Sequence, residues 1–196
     1  MSKLKKTLII LFVALGLSSC EVLNQMAQVA NFANCTFNLN SVNNIQMLGI
    51  NLSKGMTKND LNVTQLLSLT NAILSKSLPV TFNVNVDVSN PNSIAAAMSK
   101  MDYILSLNGT QVVSTTMNQG VNVPGNSKST VTIPITTDLF QLFSNESADA
   151  IVNLAFKLAG ASSNPVNVGL KVKPYITVNN QQLAYPDYIT MSKVLQ

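Results

Sequence analysis

The feature that most constrains this 196-residue chain is a strict alternation of apolar and polar side chains in residues 79–89. From Val80 to Val88 every second residue is valine or phenylalanine, and threonine, asparagine or aspartate stands between them. Alternation with a period of two is typical of a β-strand that buries one face and leaves the other in water. The run therefore predicts a half-buried strand of an antiparallel sheet.

The same alternation recurs elsewhere and predicts a mainly β fold. Residues 36–52 are expected to form two strands that turn at Asn43-Asn44, and Asn108-Gly109 is the strongest short signal for a two-residue type I′ hairpin. Further strands are predicted at 103–107, 110–116, 130–136, 168–176 and about 188–194. Seven or more antiparallel strands with two or three accessory helices predict an antiparallel β-sandwich.

Apolar residues at helical spacing mark the accessory helices. A short amphipathic helix is expected within residues 20–34, either packed on the folded domain or resting on a membrane surface. A second helix is predicted from an N-cap at Asn59 or Asp60 to about Ser75. Its expected apolar face comprises Leu66, Leu67, Leu69, Ile73 and Leu74. A third helix is predicted at about 147–159.

Residues 1–19 have the layout of a secretory signal peptide. Three lysines precede the apolar run Thr7–Leu17, which is shorter than the roughly 20 residues that a membrane-spanning helix needs. The string Leu17-Ser18-Ser19-Cys20 resembles the bacterial lipobox, in which the signal is cut before a cysteine that carries fatty acyl chains such as palmitate. We therefore predict Cys20 as the lipidated N-terminus, which binds the membrane through its acyl chains. An ordinary cleaved signal with an incidental cysteine is the alternative.

The expected anchor predicts a lipid-anchored protein of the bacterial cell envelope. Glu21 follows the cysteine, but no acidic run comes after it that would indicate export to the cell surface. We therefore expect the outer membrane, with the protein facing the periplasm. Residues 35–196 contain no linker or charge block and are long enough to bury a core, so they are predicted to form one domain.

The composition excludes most catalytic and nucleic-acid chemistry. The chain has no histidine and no arginine, and its eight acidic residues are scattered singly, so no catalytic residue, metal site or cofactor is expected. With Cys20 acylated, Cys35 is the only free thiol, and it is expected to be buried and inert. Outside the signal the chain has nine lysines and eight acidic residues. The resulting side-chain charge of +1 is too small to predict the basic surface that binds nucleic acid.

Asn90-Pro91-Asn92 admits two interpretations. The amide side chains could contact a ligand, a sugar or a partner, or they could satisfy their own turn where the strand ends. Proline has no N–H to donate to a sheet, which favours the turn.

Residues 79–136 resemble a known family. The matching features are the alternating strand that ends in Asn90-Pro91-Asn92, then Ala96, the hairpin of residues 103–109 that ends in Asn108-Gly109, and the segment Val123-Pro124-Gly125 before the strand 130–136. This pattern is similar to the water-stress and hypersensitive-response (WHy) domain of the late embryogenesis abundant type 2 family. Cys35-Thr-Phe-Asn-Leu and the segment 185–190 are similar to bacterial lipoproteins of that class.

The resemblance implies a fibronectin-III-like or immunoglobulin-like antiparallel sandwich without enzyme activity, associated with desiccation or another stress. Related domains have been proposed to bind lipid. Three hypotheses follow: a membrane-tethered structural or stress-related protein, a module that binds a lipid or another apolar ligand, and a component of an envelope complex that recruits a protein partner.

Overall fold

The computed structural model describes residues 31–32, 34–160, 165–178 and 181–195. In this part of the chain the strands are β1 Thr36–Met47, β2 Ile50–Asn51, β3 Pro79–Asn90, β4 Ala96–Met98, β5 Lys100–Leu107, β6 Thr110–Met117, β7 Val121–Val123, β8 Ser127–Asp138, β9 Val166–Val178, β10 Gln181–Ala184 and β11 Ile189–Leu195. The helices are α1 Val63–Ser75, α2 Leu139–Leu142 and α3 Ala148–Leu158, with a 3-10 turn at Lys58–Asp60. The predicted signal peptide 1–19, Cys20, most of the expected helix within 20–34 and residues 179–180 lie outside the described residues.

Two antiparallel sheets enclose the core. The first has the strand order β2-β1-β3-β8, and the second has the order β10-β9-β5-β6 with β11 also paired to β9. Strands β4 and β7 form a small separate ribbon. Valines of β3 and β9, isoleucines of β8 and leucines of β5 contribute to the core between the two sheets. The prediction of a mainly antiparallel β-sandwich is confirmed.

The outward face of β3 differs from the sequence-based expectation, because Asn85 and Asp87 are buried and not in water. Neighbouring strands cover them on both sides, since β3 lies between β1 and β8. The Asn85 side chain accepts a hydrogen bond from Thr132 at 2.8 Å and donates one to Ser41 at 3.0 Å. The Asp87 carboxylate accepts one from Thr130 at 2.7 Å.

Strand β1 also departs from its predicted form. Asn43-Asn44 does not turn the chain: β1 continues along β3 to Met47, with one extra residue between the pairs Asn43–Asn83 and Gln46–Thr81. Asn44 has a φ of 53°, so its left-handed conformation serves a β-bulge. The turn lies instead at Leu48-Gly49, where both φ angles are positive.

Helix α1 begins later than predicted. Its N-cap is Asn62, whose side chain accepts from the Gln65 N–H while Gln65 reaches back to the Asn62 N–H. The predicted cap residues Asn59 and Asp60 lie instead in the preceding 3-10 turn, which Thr57 caps. The expected apolar face is only partly correct, because Leu69 is buried whereas Leu66, Leu67 and Leu74 are exposed.

Helix α3 forms close to its predicted bounds. Ser147 caps it, Asp149 lies in the first turn and Lys157 in the last. The buried residues of the helix are all apolar: Ile151, Val152, Leu154, Ala155, Phe156 and Leu158.

Strand β3 defines two ends of the sandwich. It starts at Pro79, shortly after α1, and finishes at Asn90, so α1 and Asn90 lie at opposite ends. We call these the α1 end and the Asn90 end. Among the described helices, none has the length and apolar character needed to cross a membrane.

Candidate functional site

The described residues offer three features that could form a site: an open groove and two polar arrangements. Among the described residues, histidine, cysteine and acidic side chains form no cluster of three or more that could hold a metal ion. An open groove of about 270 Å³ lies between the β5–β6 turn and α3, with Glu146 and Lys157 among its lining residues. At the Asn90 end, two groups of polar side chains are joined by hydrogen bonds, one around Asn90 and one around Tyr175.

Asn90 is the centre of the first arrangement, and its side chain is buried. Its amide nitrogen lies within hydrogen-bond distance of three carbonyl oxygens, those of Ile94 at 2.9 Å, Val123 at 3.0 Å and Pro124 at 3.2 Å. Its amide oxygen accepts from the backbone and side-chain N–H groups of Asn92, at 3.0 and 2.8 Å. One carboxamide therefore joins two loops that are more than 30 residues apart in sequence.

Asn92 connects these loops to the N-terminal segment. Its side-chain nitrogen donates to the carbonyl of Asn31 at 2.9 Å, and its own carbonyl accepts from the Asn126 N–H at 2.8 Å. Beside Asn31, Phe32 is buried and its ring lies 5.3 Å from that of Phe37. Asn31 and Phe32 are thus held against the Asn90 end of the sandwich.

Cys35 lies in the same region and is a free, buried thiol. Its sulfur donates to the Asn31 carbonyl at 3.4 Å, and burial raises the pKa of the thiol. A thiol with a raised pKa is a poor nucleophile at neutral pH.

Close packing explains the glycine of Val123-Pro124-Gly125. A Cβ atom built on Gly125 would lie 2.2 Å from the carbonyl oxygen of Ser93, which is backbone and has no freedom to rotate away. Pro91, between the two asparagines, is exposed. The Asn90-Pro91-Asn92 segment therefore brings two loops into contact, with its proline facing solvent.

Asn108-Gly109 lies away from these residues. It forms the turn between β5 and β6, with φ angles of 49° and 85°. Asn108 also binds the backbone of Asn167 twice, accepting through its side chain at 3.0 Å and donating its N–H at 2.8 Å. The structure thus separates the two turn motifs that the sequence singled out.

The second arrangement, which we call the Lys–Tyr cluster, comprises Lys100, Asp102, Lys173, Tyr175 and Tyr188 on the outer face of the second sheet. The carboxylate of Asp102 accepts from the Tyr175 hydroxyl and from Thr116, both at 2.6 Å. The Nζ of Lys100 lies 4.4 Å from the Tyr175 ring centre, and that of Lys173 lies 5.7 Å from the Tyr188 ring centre. Such distances are those of cation–π contacts.

Electrostatics couple these groups. Hydrogen bonds from Thr116 and then Tyr175, together with the charges of Lys100 and Lys173, lower the pKa of Asp102. The hydrogen bond to Asp102 in turn raises the pKa of Tyr175. At neutral pH the Asp102 carboxyl is therefore ionised and the Tyr175 phenol is neutral.

The Lys–Tyr cluster lies at the Asn90 end. A small apolar gap between the sheets is lined both by Phe32 and Val88 and by Met101 and Pro174, which neighbour Lys100, Lys173 and Tyr175 in sequence. Sequence reasoning missed the cluster because it considered only the overall charge. The signal was the spacing Lys171, Lys173, Tyr175 in an alternating strand, which places all three side chains on one face.

Comparisons with known proteins give one family match. The model of the LEA_2 family, described as late embryogenesis abundant protein, matches residues 85–182. No curated protein matches the chain.

Solved structures that are similar to the chain include three at low identity. A protein from Archaeoglobus fulgidus is 13% identical, with a TM-score of 0.36 over 80% of this chain and 95% of that one. A protein from Arabidopsis thaliana is 11% identical, with a TM-score of 0.46 over 82% and 80%. A late embryogenesis abundant (LEA) protein is 15% identical, with a TM-score of 0.38 over 86% and 71%.

Proposed function

Because the chain belongs to the LEA_2 family of late embryogenesis abundant proteins, we propose that it is a non-enzymatic lipoprotein whose folded domain is held at the bacterial outer membrane and acts in tolerance of desiccation or a related stress. In this proposal Cys20 carries the acyl chains and the domain faces the periplasm.

The attachment of the N-terminal segment carries this proposal. Asn92 binds the carbonyl of Asn31, and Phe32 is buried beside it, so the first described residues are held at the Asn90 end. Ten residues lie between Cys20 and Asn31. Even when this segment is fully extended, Cys20 lies at most about 40 Å from Asn31. Acyl chains on Cys20 would therefore keep the Asn90 end close to the membrane.

The Lys–Tyr cluster suits that position. Tyrosine is enriched where protein meets the membrane interface, and each lysine near an anionic surface contributes about 1 kcal/mol of attraction. Lys100 and Lys173 rest over tyrosine rings at the end from which the anchor would extend. The arrangement therefore supports a domain that stands with its Asn90 end toward the lipid headgroups.

An apolar ligand between the sheets receives less support. The apolar gap lined by Phe32, Val88, Met101 and Pro174 has a volume of about 20 Å³. That is room for about one water molecule, whereas small-molecule pockets occupy roughly 300–1,000 Å³. The described conformation favours a tethered protein over a carrier of acyl chains.

Metabolic labelling with a palmitate analogue tests the anchor. The wild-type chain should incorporate the label and sediment with the outer membrane, whereas Cys20→Ser should do neither. Cys35→Ser is the matched control and should behave as wild type, because its thiol is buried in the folded domain. Labelling that persists in Cys20→Ser would exclude the proposed anchor.

Survival assays test the role in stress. A deletion strain should lose viability after drying, freezing or osmotic shock, and the wild-type gene should restore it. Complementation with Cys20→Ser then separates the two parts of the proposal: full rescue would show that the domain acts without its anchor. Unchanged survival of the deletion strain in all three treatments would refute the role in stress.

A further inference from the structure

Helix α1 carries an apolar stripe on its solvent side. The exposed fractions are 74% for Val63, 42% for Leu66, 61% for Leu67 and 77% for Leu74. None of the 13 residues of the helix is charged. An exposed helix of a globular protein normally presents charged residues on its outer face.

The stripe is separate from the face that holds α1 on the domain. The buried residues of the helix are Leu69 and Ala72. At 100° per residue, these lie on the side of the helix opposite Val63, Leu67 and Leu74. Val63, Leu67 and Leu74 therefore form a second apolar face, away from the buried one. Leu66, which is 42% exposed, lies between the two faces.

We propose that this stripe is the contact between two copies of the chain, with their α1 helices packed antiparallel about a two-fold axis. Centring the axis midway along the stripe places Val63 of one copy against Leu74 of the other, and Leu67 against Thr70. A two-fold contact of this kind must be self-complementary, and antiparallel pairing makes each half of the stripe face the other half.

Charges at the ends of α1 fit the antiparallel arrangement. Asp60 precedes the helix and Lys76 follows it, and both side chains are exposed. The same pairing brings Asp60 of each copy beside Lys76 of the other. A parallel pairing would instead place like charges together, which is unfavourable.

The size of the stripe limits when the contact forms. Four partly exposed apolar side chains offer roughly 400 Å² per copy, about the largest patch of an ordinary monomer. Stable complexes bury about 800 Å² per partner, so free chains should associate only weakly. Confinement to a membrane raises the effective concentration. In this respect the inference rests on the proposed anchor, which would hold the Asn90 end and leave α1 at the opposite end to meet its counterpart.

Thiol crosslinking on vesicles tests the contact without requiring acylation. The chain from residue 20, with Cys20→Ser and Cys35→Ser, carries an N-terminal histidine tag that binds nickel-chelating lipid vesicles. Thr70→Cys places one thiol in the middle of the stripe, and Asn71→Cys places it on the neighbouring polar side as the matched control. A short bismaleimide should give about tenfold more dimer from Thr70→Cys on vesicles than from the same concentration in solution.

Substitutions in the stripe should remove this signal. In the Thr70→Cys chain, Leu67→Lys should abolish crosslinking on vesicles, and Thr64→Lys, on the polar side, should leave it unchanged. Equal crosslinking of Thr70→Cys and Asn71→Cys would overturn the proposal, as would insensitivity to Leu67→Lys. Protection of Thr70→Cys from a soluble maleimide on vesicles without dimer formation would also overturn it, because lipid would then cover the stripe.

The result is distinguishable from failure of the proposed function. Because the tag replaces the acyl chains, vesicle crosslinking reports on α1 alone. Dimer formation here together with no palmitate labelling of Cys20 in cells would uphold the contact and refute the anchor.

Discussion

Replacing Asn90 with alanine should destabilise the domain strongly, because this side chain is buried and hydrogen-bonds to two loops. The substitution leaves the carbonyls of Ile94, Val123 and Pro124 and the N–H groups of Asn92 without this partner. The net contribution of one hydrogen bond to stability is about 1 kcal/mol, and a buried polar group left without a partner costs about 1–3 kcal/mol. Since the side chain pairs at least two backbone or side-chain groups, we expect the free energy of unfolding to fall by about 3 kcal/mol.

Thermal and urea unfolding of the mature chain with Cys20→Ser measures this loss. Because the chain has no tryptophan, far-ultraviolet circular dichroism is the suitable signal. For a domain of this size, about 3 kcal/mol corresponds to a decrease in Tm of about 6–12 °C. Asn122→Ala, at an exposed position of the neighbouring β7, should change stability by less than about 0.5 kcal/mol.

Asn90→Asp separates loss of the hydrogen bonds from loss of packing. The introduced carboxyl keeps the shape and the acceptor oxygen but places a negative charge against three carbonyl oxygens, which raises its pKa in the folded state. Its penalty should therefore grow as pH rises above the pKa of an aspartate in the unfolded chain, be complete above the raised folded-state pKa, and diminish in acid. A decrease in Tm below about 2 °C for Asn90→Ala, or an Asn90→Asp variant that is wild-type in stability at pH 7, would refute the role assigned to this side chain.

Three further predictions concern neighbouring features. Asn92→Ala should release Asn31 and speed maleimide labelling of Cys35 severalfold, while lowering the free energy of unfolding by less than Asn90→Ala does; equal labelling rates would contradict this attachment. Gly125→Ala should cost more stability than Gly169→Ala, because the added methyl meets backbone in the first case and a rotatable serine hydroxyl in the second; urea unfolding of both variants measures the order. Burial opposes ionisation of Asp138, but hydrogen bonds from Ser77 and nearby N–H groups outweigh it and lower its pKa, so this stabilisation is present above about pH 4 and is lost as pH falls through the folded pKa. In Asp138→Asn, Tm should therefore decrease less on acidification than in the wild-type chain. An unchanged dependence of Tm on acidic pH would contradict the role of the Asp138 carboxylate.

Local chemistry in the sequence was enough to predict most elements of the fold. Alternation in residues 79–89 predicted β3, Asn108-Gly109 predicted the β5–β6 turn, and the spacing of apolar residues predicted α3. Each of these depends on residues within a few positions of one another, since backbone conformation and side-chain periodicity are local properties. The Asn43-Asn44 turn was wrong because a left-handed asparagine suits a bulge as well as a turn, and only pairing with β3 distinguishes the two.

Tertiary structure alone decided which polar groups are buried and which apolar groups are not. Asn85 and Asp87 stand at the positions that the alternation predicts to face water. They are buried because β3 is a central strand, and side chains of the neighbouring strands, two threonines and a serine, hydrogen-bond to them. Asn90 finds two of its partners more than 30 residues away, and the Lys–Tyr cluster joins strands distant in sequence. Leucines of α1 look like core residues in the sequence, but the sandwich needs only one side of that helix. The order of strands in space determines these contacts, and a single sequence carries no local signal for that order.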